Sequence, residues 1–343
     1  MASSDPPARR PRITEVAAAA GVSITTVSHA LNGKGRISEA TRTHVHQVAR
    51  KLGYRPSANA RSLGSGRHGL LALKVSLPGS SAAAFVEFDY FTRLLNAATS
   101  TALQNGFALV TLPSGQTEQQ EPPDFSADGM IAVDPERGDE ALATARKRGL
   151  PIVTAGRDRD DGTSPWIDSD HRHGTITALD HLAARGARRI ALIGLERVNS
   201  FAIDAAAAYE EWCASHSVEP IESQVVTDYS QAAGRAAALE LLSAPNPPDA
   251  IYALLDGLGL GALSAARELG LRVPDDLLLA ACTDSTAAAA SDPGLTSLSL
   301  APEEIGTGAV EMLLKMLDGS SATVPNRYVA TELVVRRSSS PAA

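Results

Sequence analysis

The sequence predicts a small all-α head followed by a two-lobed α/β body with two doubly wound parallel sheets. Three observations support this fold class. Apolar residues recur at helical spacing before residue 54, strand-like runs alternate with Ala-rich helical stretches from Leu70 onward, and that alternation forms two successive series. The chain has 343 residues, which is too long for one ordinary core, so more than one domain is expected.

The head begins with two short predicted helices. The first covers about Ile13 to Ala20, and Gly21 ends it. Ser23 is placed to cap the second helix, with its hydroxyl accepting a hydrogen bond from the amide of Thr25 or Thr26. Two short helices joined by a tight glycine-containing turn predict a helix-turn-helix, which places its second helix in the major groove of DNA.

A third helix is predicted after Ser38, which is its N-cap, and Gly53 ends it. Pro56 cannot continue that helix, and Ser57 can start a short new one. The sequence therefore predicts a fourth, short helical segment between the head and the body.

Charge is divided unevenly along the chain, whose net charge is −8. Residues 1–68 contain 11 basic and 3 acidic residues, a net charge of +8, which leaves −16 on the remainder. A basic head on an acidic body is typical of a protein whose head binds a polyanion. Charge alone would equally fit a basic disordered arm.

Composition excludes several classes of protein. No apolar run reaches the roughly 18 residues that a membrane span needs, and the first residues lack the apolar core of a signal peptide. Cys213 and Cys282 are the only cysteines, so neither a disulfide framework nor a zinc set is expected. We expect a cytoplasmic protein with no membrane association.

The body pattern predicts two parallel sheets with crossover helices. Such sheets bind ligands outside the carboxyl ends of their strands, here in a cleft between the lobes. The predicted strands are Leu70–Leu77, Phe107–Leu112, Gly129–Val133 and Pro151–Ala155 in the first series, and Arg189–Gly194, Gln224–Asp228, Ala250–Leu255 and Leu277–Cys282 in the second.

Two patterns could indicate other functions. Gly257–Ala262 fits the dinucleotide fingerprint G-x-G-x-x-A, but Asp256 would place a like charge beside the phosphates. His171 and His173 could be a metal pair, but no ligand set completes them. No Gly-x-Ser-x-Gly elbow is present. We therefore expect no cofactor, no metal and no enzymatic activity.

Short motifs follow one another in order along nearly the whole chain. They are Val22-Ser-Ile-Thr-Thr-Val-Ser-His29, Ile37-Ser-Glu-Ala-Thr41, Leu52-Gly-Tyr-Arg-Pro56, Ala60-Arg-Ser-Leu63, Ala127-Asp-Gly129, Gly186-Ala-Arg-Arg-Ile190, Val273-Pro-Asp275, Pro293-Gly-Leu-Thr296 and Glu332-Leu-Val-Val-Arg-Arg-Ser338. In this order they resemble the lactose-repressor (LacI) family of bacterial transcription regulators. The resemblance implies a periplasmic-binding-protein-like body.

The resemblance implies which head residues contact DNA. Ile24, Thr25 and His29 would meet base edges, the isoleucine through a thymine methyl. The alternative is that the threonines belong to a solvated helix face. The residues expected as phosphate partners or caps are Ser23, Thr26, Ser28 and Asn32.

The resemblance also implies a hinge helix that forms on the operator. Leu63 would wedge into a central CG step through the minor groove and kink the duplex. Ala60 would pack against its dimer mate, and Arg55 and Arg61 would hold phosphates. A helix this short is marginal in water, so its folding on DNA would be a switch that the body can control.

In the body, the resemblance implies an effector cleft. Tyr90 and Phe91 align with an aromatic pair that stacks on a ligand, although aromatics in this position are more often core. The arginine expected within 201–209 is absent, and Thr283 replaces an aspartate, which disfavours an ordinary monosaccharide. The candidate effector-binding residues are Tyr90, Phe91, Arg157, Asp168, Arg197, Asp256, Thr283 and Asp284, with Trp166 and Asp134 as further cleft candidates.

These observations predict a homodimeric repressor that binds a pseudo-palindromic operator under the control of a small-molecule effector. The alternative is a two-lobed solute-binding or enzymatic body with an accidental head. The predicted segments are the head (12–56), the hinge helix (57–67) and the body (69–337), with a first lobe of about 69–164 and 296–322 and a second of about 165–293 and 324–337.

Leu63→Ala tests the wedge. Removing it is expected to cost more than about 1 kcal/mol of specific operator binding, since the kinked step loses its apolar support. Gel-shift titrations on operator and on random duplex measure both affinities. Binding to random duplex should be largely spared, and an unchanged operator affinity would refute the wedge.

Overall fold

The computed structural model describes residues 11–31, 35–54, 67–76, 88–112, 126–223, 227–319 and 324–340. The chain divides into two compact units. One contains residues 1–70 with 126–128, and the other contains the rest of the chain.

The head is a three-helix unit formed by α1 (Ile13–Ala20), α2 (Ile24–Leu31) and α3 (Glu39–Lys51). One valine from each helix is fully buried, and these side chains form a small common core. The predicted turn is confirmed, because Gly21 has a left-handed φ of 65° where a side chain would be strained.

The first body sheet has the strand order β11-β5-β4-β3-β1-β2. Its β3 strand is buried at every position, as expected of a central strand covered on both faces. The strands are β1 (Leu70–Val75), β2 (Ala108–Leu112), β3 (Gly129–Val133), β4 (Ile152–Ala155), β5 (Trp166–Ser169) and β11 (Arg327–Val329).

The second body sheet has the strand order β12-β10-β9-β8-β6-β7. The edge strand β12 runs antiparallel to β10, so this sheet is mostly rather than wholly parallel. Its strands are β6 (Ile190–Ile193), β7 (Ile221–Glu222), β8 (Ala250–Ala253), β9 (Leu278–Cys282), β10 (Thr296–Ser299) and β12 (Glu332–Val334).

Helices cover both sheets. None of the helices in the described part of the chain combines the length and apolarity needed to cross a bilayer. The body helices are α4 (Asp89–Gln104), α5 (Glu140–Lys147), α6 (His171–Ala184), α7 (Ser200–His216), α8 (Gln231–Leu242), α9 (Asp256–Glu268), α10 (Thr286–Ala290) and α11 (Pro302–Leu317).

The chain passes from one sheet to the other after β5, after β10 and after β11. The predicted lobes, each made of two separate stretches of chain, also require more than one such passage. The predicted lobe bounds are wrong at three strands: β5 and β11 belong to the first sheet, and β10 belongs to the second. These strands have three or four residues, too few for a periodic pattern to reveal their partners. The strand predicted at Gln224–Asp228 falls partly outside the described residues, and the observed β7 lies before it.

Glycines within and opposite the dinucleotide-like motif have packing roles. A Cβ on Gly261 would overlap backbone atoms of Gln231 and Arg235 on α8, and one on Gly234 would overlap the backbone of Leu258 on α9. These two glycines let α8 and α9 approach closely. Gly259 of the motif is also closely packed, because a Cβ there would lie 2.8 Å from the Ala281 side chain.

Gly261→Ala is expected to lower the free energy of unfolding by about 1–3 kcal/mol through overpacking. Alanine normally favours a helix over glycine by about 1 kcal/mol, so a loss isolates the steric effect. Urea denaturation measures it. Gly162→Ala is the control, because a Cβ there meets nothing within 4 Å; equal stability of the two variants would contradict the close approach.

Candidate DNA-binding surface and ligand cleft

The second helix of the head has two distinct faces. Val27 and Ala30 are buried against the other helices, whereas Ile24, Thr25 and His29 are exposed. The Ile24 side chain is 49% exposed. The exposed face thus carries one apolar and two hydrogen-bonding groups, the types that contact base edges.

The hydroxyls at the start of α2 are used within the head. The Ser23 hydroxyl accepts a hydrogen bond from the Thr26 amide at 3.1 Å, and the two side-chain oxygens are 2.8 Å apart. This confirms the predicted cap. Ser28 is half-buried on α2. The predicted contacts Asn32, Arg55, Ala60, Arg61 and Leu63 lie outside the described residues.

A cavity of about 440 Å³, including its opening to solvent, lies between the two body sheets. Asp134 follows β3 of the first sheet, while Asp256 and Thr283 follow β8 and β9 of the second. The cavity is therefore at the carboxyl ends of strands, where α/β folds bind ligands. Its lining residues are Phe88, Asp89, Tyr90, Phe91, Asp134, His171, Phe201, Leu255, Asp256, Thr283 and Leu300.

Two cavity residues have left-handed backbone conformations. Asp134 has a φ of 49° and Thr283 a φ of 61°. This conformation is tolerated by aspartate but costly for β-branched threonine. Backbone strain of this kind concentrates at functional sites.

The aromatic pair on α4 both packs and lines the cavity. Phe91 is buried in the core of the first lobe. Tyr90 is half-buried and contacts the cores of both lobes, with its ring 5.1 Å from that of Phe91. These two aromatic residues therefore belong to the core and also line the cavity, so the two interpretations given by the sequence are compatible.

A buried hydrogen-bond network links the lobes behind the cavity. Asp168, at the end of β5, is 3% exposed. Its carboxylate contacts His171 Nε2 at 2.9 Å and accepts from the Ser200 hydroxyl at 3.1 Å. The Ser200 hydroxyl also accepts from the Arg157 amide at 3.0 Å. Because Ser200 begins α7 of the second lobe, Asp168 couples the two lobes.

The two buried carboxyl groups have opposite pKa shifts. Burial alone would raise the pKa of Asp168, but the charge and hydrogen bond of His171 and the charge of Arg157 bring it below its ordinary value. Burial, followed by the charge of Asp168, raises the pKa of Asp134 from 3.8 to about 7. Asp134 is therefore partly protonated near neutral pH, whereas Asp168 remains ionised.

Four predicted effector residues, Arg157, Asp168, Arg197 and Asp284, do not line this cavity, nor does the further candidate Trp166. Asp168 is held in the network described above. Arg157 pairs with Asp204 and lies 3.4 Å from Asp168, with its guanidinium 5.8 Å from the ring centre of Trp166. Arg197 pairs with glutamates on the second lobe, and Asp284 pairs with Arg336 at 2.7 Å. Ionic partners already satisfy each of these groups.

Sequence reasoning missed Phe88, Asp89, Phe201 and Leu300 as lining residues and read His171 only as half of a metal pair. In the part of the chain that the structure describes, no group of three His, Cys, Asp or Glu side chains is arranged around a metal site. Phe201 could have been predicted as a lining residue from the sequence. Asn199 is the N-cap of a helix that begins after strand β6 and a short loop, and such helix starts lie at the carboxyl ends of the strands, where ligands bind. Leu300 had no such signal.

Comparison with known proteins gives the class. The profile described as "Bacterial regulatory proteins, lacI family" matches residues 12–57, and "Periplasmic binding protein-like domain" matches residues 179–339. The chain is 31% identical to the HTH-type transcriptional regulator CelR of Thermobifida fusca, over 96% of this chain and 98% of that protein. It is 30% identical to the repressor PurR of Klebsiella pneumoniae (strain 342), over 95% and 96%.

Solved structures have the same fold. A CelR–cellobiose complex has a TM-score of 0.70 at 28% identity and covers 96% of this chain and 100% of its own. A lac repressor dimer bound to operator and the anti-inducer ONPF has a TM-score of 0.80 at 22% identity, covering 96% and 99%. The chain belongs to the LacI family of bacterial transcription regulators and is a DNA-binding transcriptional regulator.

The raised pKa of Asp134 predicts a pH effect on stability. Its neutral form is favoured in the folded state, so its contribution is complete below about pH 4 and is lost as pH rises towards about 7. Asp134→Asn removes this dependence, so between pH 5 and pH 8 the variant is expected to gain about 2–3 kcal/mol of stability relative to wild type. Denaturant unfolding at both pH values measures it.

Asp275→Asn is the matched control, because this carboxylate is 56% exposed, pairs with Arg272 and is not among the residues that line the cavity. Its pH profile should follow that of wild type. Parallel profiles for wild type and Asp134→Asn would contradict the shift.

Proposed function

We propose that this regulator represses transcription by binding a pseudo-palindromic operator as a homodimer. The observation that carries the proposal is the exposed face of α2, where Ile24, Thr25 and His29 project from a buried helical core. Two such helices related by a two-fold axis would read two half-sites, which requires a matching symmetry in the DNA. A bound dimer would repress by excluding polymerase.

The hinge segment 57–67 completes this proposal. Its leucine, Leu63, would kink the central step, while Arg55 and Arg61 would hold the backbone and Ala60 would pack against the second subunit. These roles rest on the motif Ala60-Arg-Ser-Leu63 and on the matched profile, which extends to residue 57.

A small molecule in the cleft would control operator affinity. The cavity is bounded by residues from both lobes, so a ligand that contacts both favours one lobe arrangement over another. The free-energy difference between the two arrangements would reach the DNA through the spacing of the two hinges. The Asp168 network would be part of the element that the ligand biases.

We further propose that the protein acts in the cytoplasm, where its DNA target lies, and that it has no enzymatic activity. The relatives it matches are regulators. The cavity differs from what the resemblance implies for a sugar effector, because Thr283 replaces an aspartate and the arginine expected within 201–209 is absent. A monosaccharide would find few partners there for its hydroxyls.

His29→Ala tests base reading. Loss of a base-edge contact is expected to cost about 1–3 kcal/mol on the preferred operator and to relax preference at one base position per half-site. Binding selection from a random duplex library, followed by titration on the region upstream of the protein's own gene, measures both. His44→Ala is the matched control, since it removes an exposed histidine from α3 of the same head; identical selection profiles for the two variants would contradict base reading.

A further inference from the structure

The cavity wall is acidic and aromatic. Its lining includes Asp134, which follows a strand of the first sheet, Asp256 at the start of α9 in the second lobe, and Asp89 at the start of α4. Four aromatic rings complete the wall, and among its lining residues there is neither lysine nor arginine. The rings are those of Phe88, Tyr90, Phe91 and Phe201.

More carboxylates lie beside this wall. Burial raises the pKa of Glu136, which nearby Lys74 opposes and the charges of Asp139 and Glu196 reinforce. Burial also raises the pKa of Tyr229, with further contributions from Glu136, Asp134 and Glu196. Since Glu136 follows β3 and Glu196 follows β6, negative charge accumulates from both lobes.

Two basic side chains close to these carboxylates are already paired. Lys74 contacts Asp139 and donates to Ser76 at 3.0 Å. Arg157 is held by Asp168 and Asp204. Neither adds an uncompensated positive charge to the cavity, so an anionic ligand would meet repulsion from the walls.

His171 presents an unpaired ring nitrogen at the cavity. The residue is 4% exposed and lines the cavity, and its Nδ1 is buried without a partner among the described residues. Its other ring nitrogen, Nε2, contacts the carboxylate of Asp168. A buried polar atom without a partner is costly, so a ligand that supplies a partner for Nδ1 gains binding energy.

We propose that the cleft binds a small organic ammonium ion with an apolar or aromatic portion as its effector. This inference rests on the proposed function for its regulatory meaning. The aromatic rings attract the cation through their faces, and the carboxylates of both lobes neutralise its charge. A polar group of the ligand pairs with His171 Nδ1. A cation held between the lobes also relieves the mutual repulsion of their carboxylates and so favours closure.

Three probes of nearly one shape test the charge requirement: 2-phenylethylammonium, 2-phenylethanol and phenylacetate. Isothermal titration calorimetry on the full-length protein measures each Kd at pH 8. The ammonium is expected to bind at least about tenfold more tightly than the alcohol, and the acid is expected not to bind. Equal or tighter binding of the alcohol or the acid would overturn the proposal, as would the absence of binding by all three.

Variants locate the site. Asp134→Asn is expected to weaken ammonium binding by about tenfold while leaving the alcohol unchanged, because only the cation uses the charge. Glu268→Gln is the matched control: it neutralises an exposed carboxylate on α9 that pairs with Arg235. An equal loss in both variants, or an equal loss for both probes, would contradict a cation site at Asp134.

The pH dependence provides a second readout. Asp134 faces Asp168, His171 and Glu136, and Tyr90 lies close to it. Ammonium affinity should rise from pH 6 to pH 8 in wild type as Asp134 ionises, and this rise should be smaller in Asp134→Asn. A flat wild-type profile would count against the proposal.

Operator titration separates the two proposals. If the ammonium binds in the cleft and operator affinity stays the same, the ligand class stands and effector control fails. If cellobiose binds and shifts operator affinity while the ammonium does neither, effector control stands and the ligand class is wrong. If no operator is bound under any condition, the DNA-binding role fails, whatever the calorimetry gives.

Discussion

The body depends on one buried carboxylate, Asp168, held where the two lobes meet. A buried charge is tolerated only when partners satisfy it, and here they come from a histidine, a serine hydroxyl and an arginine. Asp168 belongs to the first sheet, whereas Ser200 begins a helix of the second lobe. Moving the lobes apart would strip partners from an ionised group, so the network favours discrete lobe arrangements over continuous flexing.

The same carboxylate organises the cavity. Asp168 holds His171 through Nε2, and the other ring nitrogen, Nδ1, stays without a partner among the described residues. The charge of Asp168 also contributes to the raised pKa of Asp134. Two carboxyl groups of one type thus have different protonation at neutral pH because their partners differ. The cavity combines this electrostatic arrangement with aromatic walls, which is a chemistry suited to a cation rather than to a polyhydroxylated ligand.

Much of the head could be predicted from local sequence. The bounds of α1, the left-handed Gly21 and the caps at Ser23 and Ser38 all depend on residues within one helical turn. In the cleft, Tyr90, Phe91, Asp256 and Thr283 could be named from the ends of strands and from family motifs. Phe88 and Leu300 could not, because their place depends on contacts across the lobes.

The sequence by itself determined the basic helix-turn-helix head, the two alternating strand series and the position of a cleft at strand ends. These features arise from periodicity and from short-range turn and capping chemistry. Only the tertiary structure decided that β5 and β11 join the first sheet, that β10 joins the second, and that Asp168 meets Ser200. Strands of three or four residues carry no period of their own, and partners far apart in the chain are selected by packing alone.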